Sequence, residues 1–272
     1  MSLDTLLNNL DNREKDSTPH ISYSQINTFL TCPRRYYYSY VRLIKQPPSG
    51  AMLFGSSVGV ALEKTYQDVI KNGHTSPSYS ADIFADVMKV KYGEIDKTND
   101  DEKLDTLLEQ GDRLLKLHTK DRIPKQEPID AEHKIELELP GVELPLVGYI
   151  DLLETGNRIT DHKTTTKKYA EAKNPKRSLQ LGLYAMAMDA TSVGYDVLVR
   201  KSNPEIQVLR ERLSADDLKW VVGSVVAVAQ QIEMLKDIAG VIWPPCDPTS
   251  WVCSEKFCGY YRLCQSELKE MK

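Results

Sequence analysis

Apolar positions recur at helical spacing through the first half of the chain and at strand spacing in its middle. After a polar stretch over residues 1–19, Ser22-Tyr23-Ser24 precedes Ile26, Phe29 and Leu30, which predicts a helix with Ser24 as N-cap. Pro33 breaks that pattern, so the chain should stop and restart near Cys32-Pro33. Pro47-Pro48-Ser49-Gly50 reads as a turn, and Val58, Leu62, Tyr66, Val69 and Ile70 mark one face of a helix from Met52 to Ile70. Two more helical stretches are expected near 81–92 and 102–120.

The period then changes to two. Residues Ile135 to Leu139 alternate, and Leu146 to Leu153 form a buried-strand pattern. Gly156-Asn157 is a hairpin signal before the returning strand Arg158 to Lys163. A Lys-rich loop leads to a helix near 177–190. Short strands follow around Tyr195–Val199 and Ile206–Leu209, then a long amphipathic helix from Asp216 to Ile238 and an irregular tail from Pro244. This order predicts one α/β domain with a mixed central sheet flanked by helices, over 20–272 after a flexible arm at 1–19.

Composition narrows the classes. The 272 residues carry a net charge of −4, which excludes a generally basic nucleic-acid coat but not a local basic channel. No uninterrupted apolar run reaches bilayer length and no export signal stands at the start, so a cytoplasmic protein is expected. Five cysteines, three of them within twelve residues near the C-terminus, read as metal or cluster ligands before disulfides.

Asp161 and Lys163 are two apart on one strand and share a face. A hairpin closing around 155–157 brings Asp151 beside them. Two carboxylates and one ammonium would then converge, a set suited to a hard cation such as Mg²⁺ or Mn²⁺ and a water aimed at phosphorus. Taken alone, the same residues describe an edge hairpin with surface charges.

The set Gly148-x-x-Asp151, Asp161-x-Lys163 and Gln180-x-x-x-Tyr184, with Ser22 to Tyr36 and Phe54-Gly55 through Leu62-Glu63, resembles the PD-(D/E)xK nuclease superfamily. More narrowly it resembles its RecB-like branch, which includes the AddB nuclease domain, CRISPR-associated RecB-like exonucleases and phage nucleases. The resemblance implies a restriction-endonuclease-like core and metal-dependent hydrolysis of DNA, by an exonuclease on single strands or ends, in recombination, repair or phage and prokaryotic genome processing. It implies that Asp151 and Asp161 bind the metal, that Lys163 orients the attacking water, and that Gln180 and Tyr184 support the site. The branch carries Gly-x-x-x-His where this chain has Gly55 and Gly59. Glu63, one turn further on, is the expected replacement ligand, with Glu136 and Glu138 next.

In iron–sulfur members of the branch, a Cys-Pro cysteine joins three C-terminal ones. By that resemblance Cys32, Cys253, Cys258 and Cys264 hold a [4Fe–4S] cluster or a structural Zn²⁺, a C-terminal staple over the 244–272 tail, and Cys246 is left over. Arg34, Arg35, Lys167, Lys168, Lys176 and Arg177 are candidate phosphate contacts, and Tyr36 to Tyr38 candidate stacking partners for bases. No Gly-x-x-x-x-Gly-Lys-Ser/Thr loop is present, so a motor would have to come from a helicase or recombination partner, or the protein acts alone or as an oligomer. The alternative is a catalytically weak DNA-end-binding or assembly protein on the same fold.

Overall fold

Five strands form one sheet in the order β1-β2-β3-β4-β5. They are β1 (Pro128–Leu137), β2 (Leu146–Glu154), β3 (Arg158–Thr165), β4 (Ser192–Val199) and β5 (Glu205–Arg212). The protein is seen in a computed structural model that describes residues 19–94 and 102–270, so the expected arm at 1–19 lies outside the described residues save Pro19. β2 and β3 run antiparallel, β3 and β4 parallel, and β4 and β5 antiparallel. The sheet is therefore mixed, as the order of elements predicts.

The helices are α1 (Tyr23–Thr31), α2 (Gly50–Asn72), α3 (Pro77–Lys91), α4 (Leu104–Asp121), α5 (Leu179–Ala187), α6 (Ala215–Asp237) and α7 (Tyr261–Glu270). Serines open α1, α2, α3 and α5, as short side chains that accept from the free first-turn amides. Ser49 accepts from Met52 and Ser178 from Leu181, each at 3.2 Å. At α1 the cap is Ser22, accepting from Gln25, two residues before the expected Ser24. β1 also begins seven residues earlier than its alternating pattern suggests, and α7 gives the tail regular structure.

The chain divides into two compact units. One comprises 48–136 and 148–221 and holds most of the sheet. In it α2, α3 and α4 bury Phe54, Leu62, Tyr66, Phe84 and Leu114 together with Leu152 and Leu198 of the sheet. α5 is the crossover between the parallel strands β3 and β4. The second unit comprises 20–47, 137–147 and 222–272. There Trp243 stacks on Tyr36 at 5.6 Å and on Tyr37 at 5.7 Å, and Tyr38 packs on Tyr260 at 5.2 Å. Tyr36 and Tyr38 are buried core residues, not exposed platforms for bases.

Among the described residues one helix, α6, is long and apolar enough to cross a membrane by length and composition. Val221, Val225, Ala229 and Ile232 of that helix are buried, while Trp220 and Met234 are exposed.

Candidate active site

The turn at Gly156-Asn157, with φ of 70° and 52°, closes the β2–β3 hairpin. Leu152 pairs with Thr160 and Leu153 with Ile159. Asp151 and Asp161 continue the face that Leu153 and Ile159 begin, since side chains alternate along a strand. Asp161 is 1 % exposed. Its Oδ2 lies 2.7 Å from Lys163 Nζ, and its buried Oδ1 has no hydrogen-bond partner. Asp151 Oδ2 accepts the backbone N–H of His162 at 2.6 Å.

Lys163 Nζ also donates to Gln180 Oε1 at 3.1 Å, and Gln180 Nε2 donates to Tyr184 Oη at 3.1 Å. Gln180 and Tyr184 share one face of α5. The Tyr184 ring lies over Gly148 of β2, where a Cβ would stand 2.7 Å from its Cε1. The glycine three residues before Asp151 thus makes room for the ring that backs the lysine's partner.

Burial pushes the Asp151 carboxyl well above the usual carboxylate range, and the charges of Asp161 and Glu132 add to it. Burial raises Asp161 as well, with Lys163 pulling back. Lys163 is raised: burial opposes its charge, but Asp161 and Asp151 outweigh that. An unsatisfied buried oxygen costs on the order of 1–3 kcal/mol. A buried acid with one oxygen unclaimed, beside a half-buried second acid, is a donor set that fits a hard divalent cation.

Glu63 is buried in α2, where its Oε1 accepts from Lys64 Nζ at 2.9 Å and Gln67 Nε2 at 3.0 Å. A Cβ on Gly59 would meet open space, so the position of the branch's histidine is free of obstruction. Glu136 and Glu138 are exposed. Sequence reasoning passed over Glu132, whose charge acts on Asp151 and whose φ is 57°. Its signal was hidden because β1 was expected to start only at Ile135.

A model of the PD-(D/E)XK nuclease superfamily matches residues 20–265. The chain belongs to this superfamily. Its members typically use divalent metals, and the mixed sheet flanked by helices is their α/β fold. A solved structure of a candidate exonuclease from Eubacterium rectale is similar in fold, with a TM-score of 0.61, 15% identity and coverage of 86% of each chain. A second, of SSO0001, has a TM-score of 0.45 and 13% identity over 96% of this chain and 94% of that one. No curated protein matches the chain.

In this PD-(D/E)XK nuclease the opposite face of β3 carries a buried ionic group. His118, His162 and Asp196 offer ligand atoms within 4.8 Å of one another. However, Asp196 already binds Arg122 at 2.7 Å and Arg210 at 3.0 Å. Two guanidiniums against one carboxylate leave no negative charge for a metal there. Arg210 reaches Asp196 by crossing Gly194, where a Cβ would meet its Nη1 at 2.3 Å. The His162 ring stacks on Tyr66 at 5.5 Å, and burial lowers its pKa to about 3.

All five cysteines of the nuclease line one cavity in the second unit. Cys32 is buried and the other four half-buried. Burial, then the neighbouring Cys32, pushes the Cys246 thiol up to about 12. Burial raises Cys258 and Cys264 too, opposed by Arg35 beside Cys258 and Arg34 beside Cys264. A cavity walled by five cysteines offers the donor type of a thiolate-bound metal centre.

The basic residues divide. Lys167, Lys168, Lys176 and Arg177 are exposed on the segment after β3, with Lys168 3.0 Å from Glu205 and Lys176 3.2 Å from Asp217. Arg34 is not available to a phosphate. It is 5 % exposed, and its guanidinium donates to Tyr38 Oη at 2.9 Å and Glu267 Oε2 at 2.8 Å. Arg35 is half-buried on the wall of the thiol cavity. A groove of about 500 Å³, lined by Tyr169, Lys173, Asn174 and Gln207, opens beside Tyr195, the residue paired with Asp161 across β4.

Proposed function

We propose that this nuclease hydrolyses DNA phosphodiesters as a divalent-metal-dependent exonuclease acting on single strands or ends. The observation that carries this reading is the Asp151–Asp161 pair, half-buried and buried, with Asp161 Oδ1 unclaimed and Lys163 alongside. Asp151 and Asp161 would hold Mg²⁺ or Mn²⁺, which when bound neutralises their repulsion and supplies an acidified water. Lys163, charged and fixed by Asp161 and Gln180, holds the attacking oxygen and offers positive charge to the phosphate as it gains electron density. Tyr184 and Gln180 keep the ammonium pointed at that position. The exposed Lys167, Lys168, Lys176 and Arg177 suit contacts to the backbone phosphates of a strand, and the Tyr169 groove suits an unpaired nucleotide.

Cys32, Cys253, Cys258 and Cys264 are proposed to hold a [4Fe–4S] cluster, with Zn²⁺ as the other thiolate-bound candidate. The cluster's part is structural, because none of these cysteines belongs to the carboxylate site. Brown protein absorbing near 400 nm supports iron; colourless protein with stoichiometric zinc assigns zinc.

Lys163→Ala tests the hydrolytic reading. Release of nucleotides from end-labelled single strands in Mn²⁺ should fall by on the order of a hundredfold or more, with melting temperature and metal affinity nearly unchanged. An unchanged rate overturns the assignment. Wild-type protein that binds ends without cutting them would favour the end-binding alternative.

A further inference from the structure

Cys246 is the cysteine that ligand spacing leaves over. The structure sets it in the same cavity wall as the other four. Its backbone N–H donates to Cys32 Sγ at 3.3 Å. Its thiol is within hydrogen-bonding reach of the sulfurs of Cys32 and Cys253. Cys258 and Cys264 in turn have Cys32 and Cys253 as thiol neighbours. Five thiols therefore line one cavity, while a tetrahedral ion or a cubane cluster takes four.

The surplus falls on one pair. Cys246 stands beside both Cys32 and Cys253, and Cys246 and Cys253 are half-buried. Cys246 lies in an irregular segment between Pro245 and Asp247, and Cys253 among the turns that follow. Neither lies in a helix or strand, and both already line the cavity.

We infer that Cys246 and Cys253 are interchangeable ligands, either one completing a centre otherwise held by Cys32, Cys258 and Cys264. The exchange balances: the incoming thiol gives up its proton as its sulfur binds metal, and the departing thiolate takes one up. No oxidant or reductant is needed. The inference rests on reading the thiols as a metal centre, and the test separates the two.

Wild-type full-length protein, purified without oxygen, is analysed for iron, sulfide and zinc and then alkylated before and after unfolding. Cys32, Cys258 and Cys264 should be protected in the folded state. Cys246 and Cys253 should each be partly labelled, their protected fractions adding to about one. Full labelling of Cys246 with full protection of Cys253, or the reverse, overturns the exchange. Protein without metal overturns the centre itself. Variants give the second measurement. C246S and C253S should each keep metal near wild-type stoichiometry, whereas the double variant should lose on the order of tenfold or more, as C258S does. A C253S protein as depleted as C258S, or a double variant as loaded as C253S, overturns the inference without touching the wild-type centre.

Discussion

Glu132 stands in β1 with a φ of 57°, an uncommon conformation for a residue with a side chain, and its charge acts on Asp151. Glu63, by contrast, is occupied by Lys64 and Gln67 within its own helix. Glu132→Gln should therefore weaken Mn²⁺ binding, measured calorimetrically, by about tenfold, and Glu63→Gln by much less. If Glu63→Gln has the larger effect, the replacement ligand is the one its spacing suggested. Gly59→His has room for its Cβ and should raise Mn²⁺ affinity.

The site's acids also set a pH dependence. Asp151 and Asp161 titrate above the ordinary 3.8 in the folded protein. A raised carboxyl pKa stabilises the fold below the unfolded value, and that stability is lost as pH rises through the folded one. His162 works in the opposite sense. Its pKa falls from 6.5 to about 3, so its contribution is present above 6.5 and is lost as pH drops toward 3. In metal-free protein Asp161→Asn should remove part of the loss on the rising side, and Mn²⁺ should stabilise wild type more as pH rises. Urea titrations from acid to neutral pH measure both, and identical curves for variant and wild type would count against the carboxylate pair.

Among elements, α5 depends on β2 through one glycine. Gly148→Ala would drive a Cβ into the Tyr184 ring and displace the Tyr184–Gln180–Lys163 chain. We expect a stability loss of about 1–3 kcal/mol by denaturant melting and a lower kcat with metal affinity retained. Elements were legible where the signal was local. The hairpin at Gly156-Asn157, the break at Pro33 and the helix faces of α2 to α4 all follow from residues within a few positions of one another. The same locality exposed Asp151, Asp161 and Lys163. What lay hidden depends on contacts between distant segments. An arginine beside tyrosines reads as a surface patch until Glu267, over two hundred residues later, takes its guanidinium. His118 and Asp196 meet only because α4 packs on β4 and β5. Glu132 was hidden by a backbone turn of sign that no side-chain pattern encodes.

For the molecule as a whole, net charge and local charge point in different directions. The chain carries −4, yet the segment after β3 presents Lys167, Lys168, Lys176 and Arg177 to solvent. Attraction to a nucleic acid then comes from a few contacts against an overall repulsion. Affinity for single strands should fall with the logarithm of salt at a slope of about 0.7 for each phosphate contact. Lys176→Ala and Arg177→Ala should each lower that slope by about that amount in fluorescence-anisotropy titrations.

The bond from the His162 amide to Asp151 ties one acid of the candidate site to main chain instead of to a side chain. No substitution at residue 162 other than proline removes the donor, so the tether is invisible to alanine scanning at that position. It is visible to deuterium. That amide can exchange only when the carboxylate lets go of it, which makes its exchange rate a clock on the hydrolytic site, readable without substrate and without a label.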